Sequence, residues 1–141
     1  MAKKKCYEYI DHTADIGIRG YGKTLPEALS NVAQGMVAAI HPLDQVEIQE
    51  TREFGIQAVT LDDLIVQFLN HLLYLHEVEG FIPKKYQLKV SKSRIIQGII
   101  SGEKFNPAKH QIYDEVKAVT YHQLKVEHQD NEWMIQVICD L

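Results

Sequence analysis

Residues 116–141 read VKAVTYHQLKVEHQDNEWMIQVICDL, and this stretch decides the fold. Apolar and polar side chains alternate over Val116 to Tyr121, Leu124-Lys125-Val126 and Trp133 to Cys139, the period of two that turns one face of a strand towards a core. No helical spacing separates these runs, so they are expected to pair with their sequence neighbours as antiparallel strands. Further back, the same period recurs in Ile95 to Gly102, in Tyr86-Gln87-Leu88-Lys89-Val90 and in Val46-Glu47-Ile48-Gln49. Nearer the start, Cys6 to Ile10 is an apolar strand, and Ile16 to Gly22 a second one punctuated by Gly17, Gly20 and Gly22. Those glycines have neither the spacing nor the βαβ context of a dinucleotide-binding loop.

Two segments interrupt the strands with helical spacing. Thr24 supplies a capping hydroxyl, Glu27 completes a capping box and Pro26 is tolerated in the first turn. Leu25, Leu29, Val32, Ala33, Met36, Val37 and Ile40 then form one apolar face, and His41-Pro42 ends the run. Thr60 caps the second helix, Asp62 and Asp63 sit at the positive end of its dipole, and Leu61, Leu64, Ile65, Phe68, Leu69, Leu72 and Leu73 are its buried face. That helix is expected to end near Glu77 to Gly80. The class is therefore α+β, a largely antiparallel β-sheet packed with two main α-helices.

A chain of 141 residues with 45% apolar and 24% charged side chains fits one domain over residues 1–141. No repeat, low-complexity tract or long linker divides it. Residues 1–5, with Lys3-Lys4-Lys5, read as a mobile, solubilising basic tail. Fifteen Lys and Arg stand against nineteen Asp and Glu, a net charge of −4. Phosphate neutralisation supplies most non-specific nucleic-acid affinity, so the net charge and the lack of a basic stripe weigh against tight direct RNA binding. No run approaches the roughly 18–20 apolar residues of a membrane span, and the polar start leads into no signal region; a cytoplasmic protein is expected. Cys6 and Cys139 form no CxxC pair, so reduced thiols are expected, although paired terminal strands could make them neighbours.

The polar residues hardest to explain structurally are Asp11, His12, Thr13 and Asp15, in a turn between two apolar strands. Such turns hold side chains on a rigid base, yet Asp and Thr also serve as ordinary turn caps. A second polar group runs from Gly102-Glu103-Lys104 to His110, and a third is Glu115 to His122. Period two places Glu115, Lys117, Val119 and Tyr121 on one face of the third and Val116, Ala118, Thr120 and His122 on the other. Glu115 and Lys117 can simply pair, and His122 can be a half-buried histidine with one backbone hydrogen bond. At the other end, Asp140 and the α-carboxylate of Leu141 follow directly on an apolar strand. If Asp15 approaches them, three negative charges converge, each pair repelling by about 4 kcal/mol at 4 Å near a protein surface, and a cation or a shifted protonation must compensate. An all-oxygen cluster favours Ca²⁺, Mg²⁺ or Mn²⁺ over a structural zinc.

Asp11-His12-Thr13-Ala14-Asp15-Ile16-Gly17-Ile18 resembles the opening signature of the archease family. Thr24-Leu25-Pro26-Glu27-Ala28, Gly102-Glu103 with Asn106-Pro107 and His110, the run Glu115 to His122, and Asp140-Leu141 match the family pattern in order, from about Tyr7 to Leu141. The resemblance implies a small α+β accessory protein of the RtcB-type tRNA-splicing ligase and not an enzyme. It would promote guanylylation of the ligase's active-site histidine from GTP and a divalent metal, giving multiple turnover in tRNA splicing and RNA repair, with RNA contacted only through the ligase. It also implies a divalent cation, calcium in the family, held by Asp15, Asp140 and Leu141, the last through a main-chain or terminal oxygen. No catalytic residue is implied; Asp11, His12, Thr13, Glu103, Lys117 and His122 are candidate functional surface. Two other readings are a chaperone-like protein-binding module with an incidental metal site and an independent metal-dependent hydrolase.

Overall fold

The structure is a computed structural model and describes residues 6–10 and 14–141. Strands β1 (Tyr7–Ile10) and β2 (Asp15–Gly22) lead into helix α1 (Leu25–Ile40). A short 3-10 turn (Leu43–Gln45) precedes β3 (Glu50–Gln57), helix α2 (Leu61–Glu79), β4 (Phe81–Val90), β5 (Ile95–Lys104), β6 (Ala118–Gln129) and β7 (Glu132–Asp140). Every strand pair is antiparallel, in a four-stranded sheet of order β1-β2-β7-β6 and a three-stranded sheet of order β3-β5-β4. The α+β class holds, with the strands divided between two sheets.

Both helices start where their caps require. The Thr24 hydroxyl accepts the Glu27 N–H at 3.2 Å, and that of Thr60 accepts the Asp63 N–H at 3.1 Å. Gly80, at φ 66°, ends α2 in the left-handed conformation that glycine adopts without steric cost. Leu29, Val32 and Met36 of α1, Leu64, Phe68 and Leu72 of α2, Ile18, Ile135 and Val137 of the first sheet and Ile96 and Ile100 of the second form one buried cluster. Helix α1 lies close against β2, because a Cβ on Gly20 would stand 2.4 Å from the Val32 nitrogen.

Three strand expectations change. Val46 to Gln49 is not a strand: Val46 is buried against Val37 and Ile82, while Ile48 is exposed. The strand begins instead at Glu50. Its inward row is Glu50, Arg52, Phe54 and Ile56, with Arg52 paired to Glu50 and Glu79 and lying 4.6 Å over the Phe81 ring. Two charged members hide the apolar alternation. Ala118 to Tyr121 and Leu124 to Val126 belong to one strand, β6, which starts after Val116 and Lys117 and whose register slips between Thr120 and Lys125 where Gln123 has φ 51°. Cys6 and Cys139 are not neighbours, since the Cys6 carbonyl accepts from Tyr21, Cys139 is opposite Ile16 at the other end of β2, and β2 separates β1 from β7.

Candidate functional site

Asp15 opens β2 and Asp140 closes β7, and the two are direct cross-strand partners. Partners in an antiparallel pair project to the same face, with Cβ atoms about 4.5–5.5 Å apart. Ile16 and Ile18 on β2, and Cys139 and Val137 on β7, turn towards the core, so period two sends both carboxylates to the outer face of the sheet. On the far side of β7, Ala118 is opposite Asp140, and the Lys117 N–H donates to the Asp140 carbonyl at 2.8 Å. Three strand ends therefore meet at one edge, with Leu141, 40% exposed, one residue beyond.

The charge at this edge is felt by its neighbour. Burial pushes the Cys139 thiol up to about 12, and the carboxylates of Asp140 and then Asp15 add to the effect. Among the described residues no group of three or more His, Cys, Asp and Glu is placed to hold a metal ion. Two facing carboxylates still make a hard, all-oxygen donor pair, and an oxygen of Leu141 is the nearest addition in sequence. That donor set fits a hard divalent cation. Asp11, His12 and Thr13 lie outside the described residues.

Glu103 is no part of an exposed surface. It is 4% exposed, and its carboxylate accepts from His110 Nε2 at 2.6 Å, from Lys109 Nζ at 2.8 Å and from the Glu47 N–H at 3.0 Å. Burial alone would raise its pKa; the bonds from Lys109, Glu47 and His110 and the Lys109 charge overcome that and hold it at about 2. His110 is locked in turn, its Nδ1 accepting the Asn106 N–H at 2.9 Å. The Glu103 group pins the segment after β5 to the three-stranded sheet.

The third polar group divides. Glu115 and Lys117 precede β6, so the expected face pairing does not form, and Val116 and Val119 both enter the core. His122 is exposed instead of half-buried, with its N–H donating to the Thr120 hydroxyl at 3.3 Å. The side chain of Lys117 is on the surface beside the carboxylate edge.

Two residues that support this edge were not singled out from sequence. Asn70 of α2 donates to the Val119 carbonyl at 3.2 Å and accepts the Val119 N–H at 2.9 Å, taking the place of a strand partner on the outer side of β6. An asparagine between Leu69 and Leu72 on an apolar helical face was the available signal. Ala14 has φ 64°, a left-handed conformation that costs a non-glycine residue about 1–2 kcal/mol, and it delivers the chain into Asp15.

Comparison with known proteins agrees along the whole chain. The model of the Archease protein family matches residues 7–141. Protein archease of Pyrococcus abyssi is 39% identical over 141 residues, covering 97% of this chain and 99% of that protein. The Pyrococcus furiosus protein of the same name is 40% identical over 139 residues, covering 96% and 98%. The solution structure of a Methanobacterium thermoautotrophicum protein superposes with a TM-score of 0.84 at 31% identity, covering 98% of this chain and 100% of that one. A Thermotoga maritima crystal structure, described as an archease and possible chaperone, shares the fold at a TM-score of 0.63 and 22% identity, covering 100% and 98%.

Proposed function

The chain belongs to the archease family, and from that premise we propose that it is an accessory factor of an RtcB-type tRNA-splicing ligase, promoting guanylylation of the ligase from GTP and thereby multiple-turnover RNA ligation. The observation that carries this reading is the pairing of Asp15 with Asp140 on the outer face, one residue from Leu141. Asp15, Asp140 and an oxygen of Leu141 would hold a divalent cation, Ca²⁺, Mg²⁺ or Mn²⁺. Such a cation would polarise phosphate oxygens of a nucleotide on the ligase. The protein's own part is positional: the β2–β7 register fixes the carboxylates side by side, and the Lys117 N–H and Asn70 hold β6 against the same edge. The net charge of −4 is consistent with RNA being contacted through the ligase.

The test is multiple-turnover ligation by a cognate RtcB-type ligase with GTP and Mn²⁺, comparing no addition, this protein and Asp15→Ala. Stimulation by the wild type and its loss in the variant are expected. A competent ligase that neither protein stimulates would overturn the reading. A second reading is a chaperone-like binding module, as the Thermotoga maritima archease is described as a possible chaperone; stimulation retained in full by Asp15→Ala would favour it.

A further inference from the structure

We propose that His41 and His76 form a pH-sensitive latch, which fastens residues 111–115 to the ends of both helices and releases them when both rings are protonated. Residues 105–117 connect β5 to β6 without helix or strand. The Glu103 group pins the first part of this connection, and the ends of the helices hold the second. The Gln111 N–H donates to Gln45 Oε1 at 2.9 Å, the Gln111 carbonyl meets His41 Nδ1 at 2.7 Å, and the Tyr113 N–H donates to the Ile40 carbonyl at 2.8 Å. His41 is fully buried at the end of α1, and its Nε2 is 2.7 Å from Nε2 of His76 in the last turn of α2.

The positions of the protons follow from these partners. A carbonyl only accepts, so Nδ1 of His41 carries a proton and, in the neutral ring, Nε2 is an acceptor. Nε2 of His76 must then donate to it, which leaves Nδ1 of His76 bare. A first added proton goes to that bare nitrogen. It keeps the bond between the rings, strengthens it by charge, and sets the cation beside Glu77, Asp114 and Glu115, which line the cavity with His76. A second proton has only Nε2 of His41 to go to. Two N–H groups would then point at each other across 2.7 Å, and two cations would adjoin, one of them fully buried.

The groups around the pair bear on the same step. His110, whose ring is 6.3 Å from that of His41, is bonded to Glu103, which also pairs with Lys109, while Phe105 at 5.3 Å is uncharged. Burial lowers the pKa of His41 below 6.5, with the Gln111 bond opposing and His110 adding to the effect; burial and then His41 lower that of His76. Rings freed into water take up protons at their ordinary value, so the closed latch is fully stable above about pH 6.5 and loses stability as pH falls below it. This window lies above the one in which Glu103 titrates. The released residues lead into Lys117, whose N–H donates to the Asp140 carbonyl, so the latch borders the carboxylate edge. The proposal does not depend on the cation reading of that edge.

The test is NMR on the full chain. At about pH 7.5, long-range nitrogen–proton spectra should show His41 protonated at Nδ1 and bare at Nε2, and His76 as the opposite tautomer. Hydrogen-exchange protection of the Tyr113 amide, corrected for the pH dependence of exchange in a free chain, should fall about tenfold per pH unit below about 6.5, the slope of one proton taken up on opening. Amides of β2 and β7 should keep their protection over the same range. In His76→Gln the side-chain amide can donate to neutral His41 or turn and accept from the protonated ring, so protection at about pH 7.5 should persist and its fall should be shallower. A neutral His41 protonated at Nε2, Tyr113 protection constant down to about pH 5, a fall shared equally by β2 and β7, or a fall as steep in His76→Gln as in the wild type would overturn the proposal.

Discussion

Glu103 and Asp140 each sit at or next to the end of a strand, and each carries one carboxylate, yet their surroundings differ in everything that sets the state of a charge. Glu103 is enclosed and meets Lys109, His110 and the Glu47 N–H. Asp140 is exposed and faces a second acid, Asp15. The first is a completed network that holds the fold. The second brings like charges together at the surface, an arrangement that a counter-charge favours. Family signatures contain both, so a shared motif does not separate a residue that fastens from one that binds.

The largest effect expected on this contrast is from Glu103→Ala, which leaves His110 buried without its acceptor and removes the Lys109 partner. Loss of a buried, hydrogen-bonded ionic partner costs about 3 kcal/mol, readable in urea unfolding; a stability unchanged within error would break the contrast. The pH dependence follows from the same group. Its carboxyl is held at about 2 in the fold against an ordinary value of 4.5, so the stabilisation is fully present above about pH 4.5 and is lost as pH falls towards 2. Glu103→Gln should flatten that part of the acid-unfolding profile, and a profile identical to wild type would show that other carboxylates control it.

Asp140→Asn should do the reverse, weakening Mn²⁺ or Ca²⁺ binding at least about tenfold, or about 1.4 kcal/mol, with little change in unfolding. An unaltered calorimetric titration would remove Asp140 from the donor set. A tag appended after Leu141 should weaken the same binding several-fold, a smaller effect because both side-chain carboxylates stay in place; undiminished affinity would count against Leu141 as a donor. Ala14→Gly is the mildest change. It relieves the left-handed strain at φ 64° while adding glycine's unfolded-state entropy, for a net gain of about 0.5 kcal/mol. Destabilisation beyond that size would mean the Ala14 methyl contributes to holding Asp15.

Much of the fold was legible because its signals are local. The hydroxyls of Thr24 and Thr60 bond where the capping patterns place them, and the apolar faces of both helices are the ones their spacing gives. β3 escaped because Glu50 and Arg52 occupy inward positions through ion pairs and a ring contact made by α2 and β4, which period two cannot register. Val46 to Gln49 misled in the opposite sense, since the apolar Ile48 in that alternating run is exposed. In the candidate site Asp15, Asp140 and Leu141 were named from sequence and the register sets the first two opposite each other, whereas Asn70 and Ala14 act through backbone contacts that side-chain chemistry does not announce.

The sequence by itself determined both helices, every strand but β3, the α+β class and the family, because caps, periodicity and linked motifs reside in neighbouring residues. Only the tertiary structure decided that Glu103 is a buried fastener, that Cys6 and Cys139 stay apart, and that Asp15 is opposite Asp140. Strand register is set by contacts between opposite ends of the chain. A slip of one residue would turn either carboxylate to the other face, and it is the burial of Ile18, Val137 and Cys139 in the common core that forbids the slip.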